Sequence, residues 1–126
     1  MPEPIYRHLA SLDWEKPTEV KPEVRELARS GAAAGACRAR LTQGDHGFFS
    51  ALNEMPPRFV VPPHRHSDSE LFVVLAGSCT VADGTSLSAG DVASIPAHTE
   101  YGFEVGEDGL RFVVVRAADA STRISE

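Results

Sequence analysis

The spacing of apolar positions changes character near residue 35. Before it, Val20, Val24, Leu27 and Ala28 recur at nearly helical intervals, and Pro22 and Glu23 suit a first helical turn. This predicts one short helix over residues 22–29, closed by Gly31, with the small-residue run 31–35 as a connector. Residues 1–20 mix isolated apolar side chains with Pro2, Pro4 and Pro17, which predicts an irregular arm anchored by Trp14. After Gly35, runs rich in Val, Phe, Leu and Thr alternate with Gly, Pro and Asp. They predict short strands at 36–42, 47–53, 58–61, 70–76, 78–82, 86–87, 91–95, 101–105 and 110–116. Asp83-Gly84 and Asp108-Gly109 are turn signals, because glycine accepts positive φ without steric cost. Strands in such succession, with no helix between them, predict an antiparallel sandwich or barrel. The domain organisation expected is an arm and short helix over 1–34, a barrel over 35–118 and a flexible tail over 119–126.

Within this pattern the 70–76 strand is apolar on both faces. Phe72, Val74 and Ala76 share one face, and Leu71, Val73 and Leu75 the other. Such a strand calls for cover on both sides, by the barrel interior and by either the arm or a second copy of the chain. The length of 126 residues fits one domain, and 42% hydrophobic against 24% charged residues is a globular balance. Eighteen acidic residues outnumber twelve Lys and Arg, a net charge of −6 that argues against nucleic acid. The N-terminus shows no signal-peptide pattern, and the longest apolar run, 71–76, is too short to span a bilayer. Cys37 and Cys79 lack CxxC spacing and read as reduced thiols, so a cytoplasmic location is expected.

Unusual polar chemistry is concentrated in Pro62-Pro63-His64-Arg65-His66-Ser67-Asp68-Ser69-Glu70. On an extended strand His64 and His66 project from one face. A turn through Asp68 and Ser69 can fold Glu70 back beside them, giving two imidazoles and a carboxylate with open positions for a divalent metal. The plainer alternative is a polar rim in which Glu70 pairs with Arg58 or Arg65.

The chain here resembles the cupin superfamily. His64-x-His66, three residues, Glu70, six residues, Gly77 matches that family's first motif, and Gly90 with Pro96 matches part of the second. The resemblance implies an all-β, double-stranded β-helix (jelly-roll) fold and a metal held by His64, His66 and Glu70. Fe, Mn, Ni and Zn all suit that donor set. Three positions depart from the pattern: Arg58 and His98 stand where the motifs have glycine, and Tyr101 stands where they have a fourth histidine. Some cupin lyases and cyclases are similar in using tyrosine at the metal. Tyr101 is therefore a candidate catalytic residue, as fourth ligand, general base or hydrogen-bond donor. His98 is expected at the mouth of the barrel or in solvent, with ligation requiring its turn to fold inward.

Strand parity makes Phe48, Phe72, Val74 and Phe103 candidates for an apolar pocket lining, with Arg58 as a cationic contact and His98 near the mouth. The expected function is a metal-dependent small cupin enzyme of oxygenase, isomerase, lyase or cyclase type, acting on a small organic molecule and forming a homodimer. The alternative is a non-catalytic barrel that binds a small ligand with or without metal.

Overall fold

The computed structural model describes residues 3–15 and 21–125; Pro2, Pro17, Val20 and Glu126 lie outside the described residues. A 3-10 turn at Pro22–Val24 leads into helix α1 (Arg25–Ala34). The strands are β1 (Cys37–Gln43), β2 (Phe49–Met55), β3 (Val60–His66), β4 (Glu70–Val81), β5 (Ser86–Ser88), β6 (Val92–Ile95), β7 (Tyr101–Arg116) and β8 (Thr122–Ile124). All pairings are antiparallel.

Two long strands organise the rest. The C-terminal part of β7 pairs with β2 on one side and with the start of β4 on the other, while β1 and β6 extend that sheet. The N-terminal part of β7 pairs with β3 and with the end of β4, while β8 and β5 extend the second sheet. Each long strand therefore runs through both sheets, which produces the double-stranded β-helix. The register of β4 on β7 slips on either side of Gly77, at Val74/Ala76 and again at Gly77/Cys79. Gly77 has φ 77°, and a Cβ there would overlap the Gly109 carbonyl oxygen. Only glycine combines that dihedral with that approach.

Chain breaks expected at Ala76/Ser78 and at Asp108-Gly109 are thus bends inside single strands, whereas Asp83-Gly84 closes the β4–β5 hairpin as expected. Glycine at positive φ serves a bend as well as a turn, so local sequence does not distinguish them. Gly31 also differs from expectation: it lies within α1, against Phe59, and the helix ends at Gly35, whose φ of 104° supplies the left-handed cap. The tail expected to be flexible instead contributes β8, which pairs with the histidine strand.

The core lies between the sheets. Phe72 stacks on Phe112 with ring centroids 4.3 Å apart, and Phe103 meets both rings edge-on. Val74, Cys79, Val105 and Val114 complete it. The arm runs along β1, where the Glu15 amide donates to the Arg38 carbonyl and Arg7 Nε donates to the Leu41 carbonyl. Trp14 remains 40% exposed, and so is not the buried anchor expected. Leu71, Leu75 and Val92 also stay exposed on the outer face of β4 and β6, and the described part of the arm does not cover them. Among the described residues no helix is long and apolar enough to cross a membrane.

Gly77→Ala is expected to cost roughly 2 kcal/mol or more, because it forces a left-handed alanine against a backbone carbonyl. A urea unfolding midpoint unchanged from wild type would contradict this bend.

Candidate functional site

The site forms where β3, the start of β4, both ends of β7 and β8 converge. Pro62 and Pro63 lack amide protons, and the β3–β7 ladder slips between Val61 and His64. That slip lets Val61, His64 and His66 all turn inward, at 7%, 7% and 8% exposure. Cross-strand register then places His64 opposite Tyr101, His66 opposite Thr122, and Glu70 opposite Arg116. Glu70 opens β4, where strand parity aims it inward with Phe72 and Val74.

Each imidazole is oriented through its outer nitrogen. His64 Nδ1 lies 2.8 Å from the Pro62 carbonyl and so donates to it, leaving the Nε2 lone pair free. Arg116 Nη2 donates toward His66 Nε2 at 3.2 Å, so His66 carries its proton on Nδ1 and donates to Thr122 Oγ1 at 2.8 Å. Both rings are thus neutral Nδ1–H tautomers. Burial is the leading cause that lowers both pKa values, aided at His66 by the neighbouring Arg116, and His66 is pushed down to about 3.

Glu70 is satisfied from two sides. Tyr101 donates to its Oε2 at 3.0 Å and Arg116 Nη2 donates to the same oxygen at 3.1 Å. Burial, followed by the charge of Glu70 and the hydrogen bond to it, raises the Tyr101 pKa well above the ordinary phenol value. Tyr101 is therefore a protonated donor in this arrangement. The cation beside Glu70 is Arg116, whereas Arg58 pairs with Glu107 at 2.8 Å on the surface and Arg65 is exposed.

The cluster closes the floor of a cavity of about 210 Å³, with Phe72, Phe103, Phe112 and Val114 on one side and Leu27 and Val24 on another. Phe72 and Phe103 line it as expected, and Val74 is buried in the core beside it. Three of the expected lining residues face elsewhere. The Asp45–Gly47 turn, with His46 and Gly47 at positive φ, delivers Phe48 outward at 55% exposure. Arg58 (φ 63°) and His98 (φ 64°) also occupy left-handed turns and are exposed, and the His98 amide donates to the His66 carbonyl. The cavity's cations are Arg38 and Arg116 instead. Arg116 was legible in principle, since it continues the inward series Leu110, Phe112, Val114. Arg38 was not, because its face depends on pairing opposite Asn53.

The donor chemistry suits a divalent cation: two inward Nε2 lone pairs and one carboxylate. The guanidinium of Arg116 now lies across His66 and Glu70, and no group of three His, Cys, Asp or Glu side chains among the described residues has metal-holding geometry.

Comparison with known proteins agrees with this fold. The cupin domain profile matches residues 51–116, just over half of the chain. The chain belongs to the cupin domain family. No curated protein matches its sequence. Among solved structures it is similar to the polyketide cyclase RemF from Streptomyces resistomycificus, with a TM-score of 0.73 and 22% identity over 98% of this chain and 87% of that one. An RmlC-like cupin from Shewanella frigidimarina gives 0.68 and 19% over 94% and 96%. Oxalate decarboxylase from Bacillus subtilis gives 0.60 and 20% over 71% of this cupin but only 28% of its own chain.

The tautomers carry a prediction for the metal-free protein. Unfolded histidine binds a proton near pH 6.5, while folded His66 resists protonation down to about 3, so the unfolded state binds more protons between those values. Stability should therefore fall as pH drops through that window, and nitrogen NMR at about pH 6 should show neutral His64 and His66. Charged imidazolium signals from both rings at that pH would overturn the assignment.

Proposed function

We propose that this cupin is a metal-dependent enzyme acting on a small organic molecule with an apolar body. The observation that carries the reading is the pair of inward imidazole lone pairs, each held by its own Nδ1 hydrogen bond, beside a buried carboxylate on the floor of an apolar cavity. His64, His66 and Glu70 would hold one divalent transition metal, with Fe, Mn, Ni and Zn all compatible with the donors. When bound, the metal would act as a Lewis acid toward a substrate oxygen. Loading requires Arg116 to turn away from His66 and Glu70.

The chain's own residues have separate tasks in this reading. Tyr101, kept protonated by burial and by Glu70, serves as a hydrogen-bond and proton donor at its hydroxyl rather than as a phenolate base. The phenylalanine wall and α1 exclude water and hold the apolar part of the substrate. RemF is named as a polyketide cyclase, and the match over nearly the whole chain favours a cyclase or lyase type of reaction on a carbonyl compound.

One observation favours a second reading, a ligand-binding barrel that works without metal. Arg116 already supplies a positive charge to Glu70 and His66. Elemental analysis of protein purified without chelators decides between the two. About one equivalent of metal is expected in wild type and Tyr101→Phe, with loss of at least tenfold in His64→Ala and Glu70→Ala. Metal-free wild type that stays so after anaerobic Fe(II), Mn(II), Ni(II) and Zn(II) titration would establish the second reading.

We also propose that the exposed Leu71, Leu75 and Val92 pair two copies of the chain, since apolar side chains gathered on one sheet face gain from mutual burial. Light scattering at micromolar concentration should report a dimer, and Leu71→Glu should shift it toward monomer. A wild-type monomer would refute the pairing.

A further inference from the structure

We infer that Arg38 and Arg116 form an anion subsite on the cavity wall, so that the molecule bound there carries a carboxylate or enolate on an otherwise apolar frame. This deepens the proposed function by naming the substrate class, and it rests on the cavity rather than on the metal.

The first support is hydrogen-bond accounting. Arg38 lies on β1 and Arg116 at the end of β7, and both line the apolar cavity. Arg116 spends Nη2 on Glu70 and His66, but its Nε is buried without a partner. Arg38 has a buried, unpartnered Nε too, beside Glu15, whose two carboxylate oxygens are likewise buried without a hydrogen-bond partner. An unsatisfied guanidinium in an apolar wall is costly unless something enters to accept its protons.

Charge balance points the same way. Glu15, which lines the same cavity, forms an ion pair with Arg40 at 2.9 Å, and Glu70 is claimed by Arg116 and Tyr101. Among the described residues, Glu15 is thus paired with Arg40, Glu70 with Arg116, and Asp119 near the same arginines with Lys21, which leaves Arg38 without a carboxylate of its own in a protein whose net charge is −6. Burial is the leading cause that disfavours the charge on Arg38; Glu15 and Glu70 favour it, and Arg40 and Arg116 oppose it. A bound anion would accept the unused Nε protons and offset the repulsion among the arginines. Arginine also presents donors in the fork that suits a planar carboxylate. The phenyl rings of Phe72, Phe103 and Phe112 give the rest of such a molecule an apolar surface.

The test is calorimetric titration of the full chain with trans-cinnamate and with its uncharged isostere cinnamamide. Both are run before and after chelation, with metal content measured on the same samples. Wild type should bind the carboxylate about tenfold more tightly than the amide, and Arg38→Gln should erase that preference, weakening the carboxylate far more than the amide. Arg38→Lys should keep part of it, and thermal melts of both variants control for folding. Equal affinity for the two probes in wild type, or binding of neither, would overturn the subsite. So would a preference that survives Arg38→Gln. A preference abolished by chelation but indifferent to Arg38 would place the anion on the metal, overturning the subsite and sustaining the proposed enzyme. An Arg38-dependent preference in protein that takes up no metal would do the reverse.

Discussion

A carboxylate buried in an apolar barrel sets the terms for everything around it. Glu70 is 3% exposed and sits on the same face as Phe72 and Val74, so water does not solvate its charge. Removing one ionised group from water costs several kcal/mol in real proteins unless charge and hydrogen bonds replace the lost hydration. Here Arg116 brings the charge and Tyr101 brings a proton donor. Both come from one strand, β7, from its last and first residues. The length and bend of β7 are therefore what make the Glu70 site tolerable. Gly77 and Gly109, packed against each other at positive φ, make that bend sterically possible.

The same interaction gives the floor of the cavity its polarity. With Arg116 Nη2 donating toward its Nε2 and Thr122 Oγ1 accepting from its Nδ1, His66 remains neutral. Thr122 holds the other nitrogen from β8, so the C-terminal segment takes part in orienting a ring that belongs to β3. Above this floor the phenylalanine cluster and α1 enclose a largely apolar space whose polar groups include Arg38, Arg116, Glu15 and Asn53. A site of this form binds by contrast: the apolar wall takes the body of a molecule, and the few charged groups fix its orientation. Arg116 stands at the junction, as the partner of Glu70 and as a wall residue with an unused donor. Any cation brought to the floor competes with it.

Much of this was written into the linear order of residues. The switch from helical to alternating spacing near Gly35 is a local property, and so are the Asp83-Gly84 hairpin and the inward parity of His64 with His66. The spacing from His66 to Glu70 and from Glu70 to Gly77 carried the family resemblance, and with it the barrel. Each of these depends on neighbours within a few positions, where side-chain direction follows from backbone periodicity alone.

Tertiary structure decided which of those local signals were boundaries and which were bends. Gly77 and Asp108-Gly109 resemble turns to a reader of sequence, but β4 and β7 only bend there and are paired again beyond the bend. The tail around Thr122 has no apolar pattern, and it becomes a strand because β3 offers it an open edge. Arg58 and Phe48 had plausible parity, yet positive-φ turns beside or at them rotate both to the surface. Arg38 entered the cavity through pairing with Asn53, a contact between strands that no local pattern encodes. The histidine and carboxylate positions were thus determined by the sequence itself, because they lie within one local motif. Strand parity alone aims Arg116 inward, but its place opposite Glu70 and the entry of Arg38 were decided by register between strands distant along the chain, because charge compensation is a property of neighbours in space.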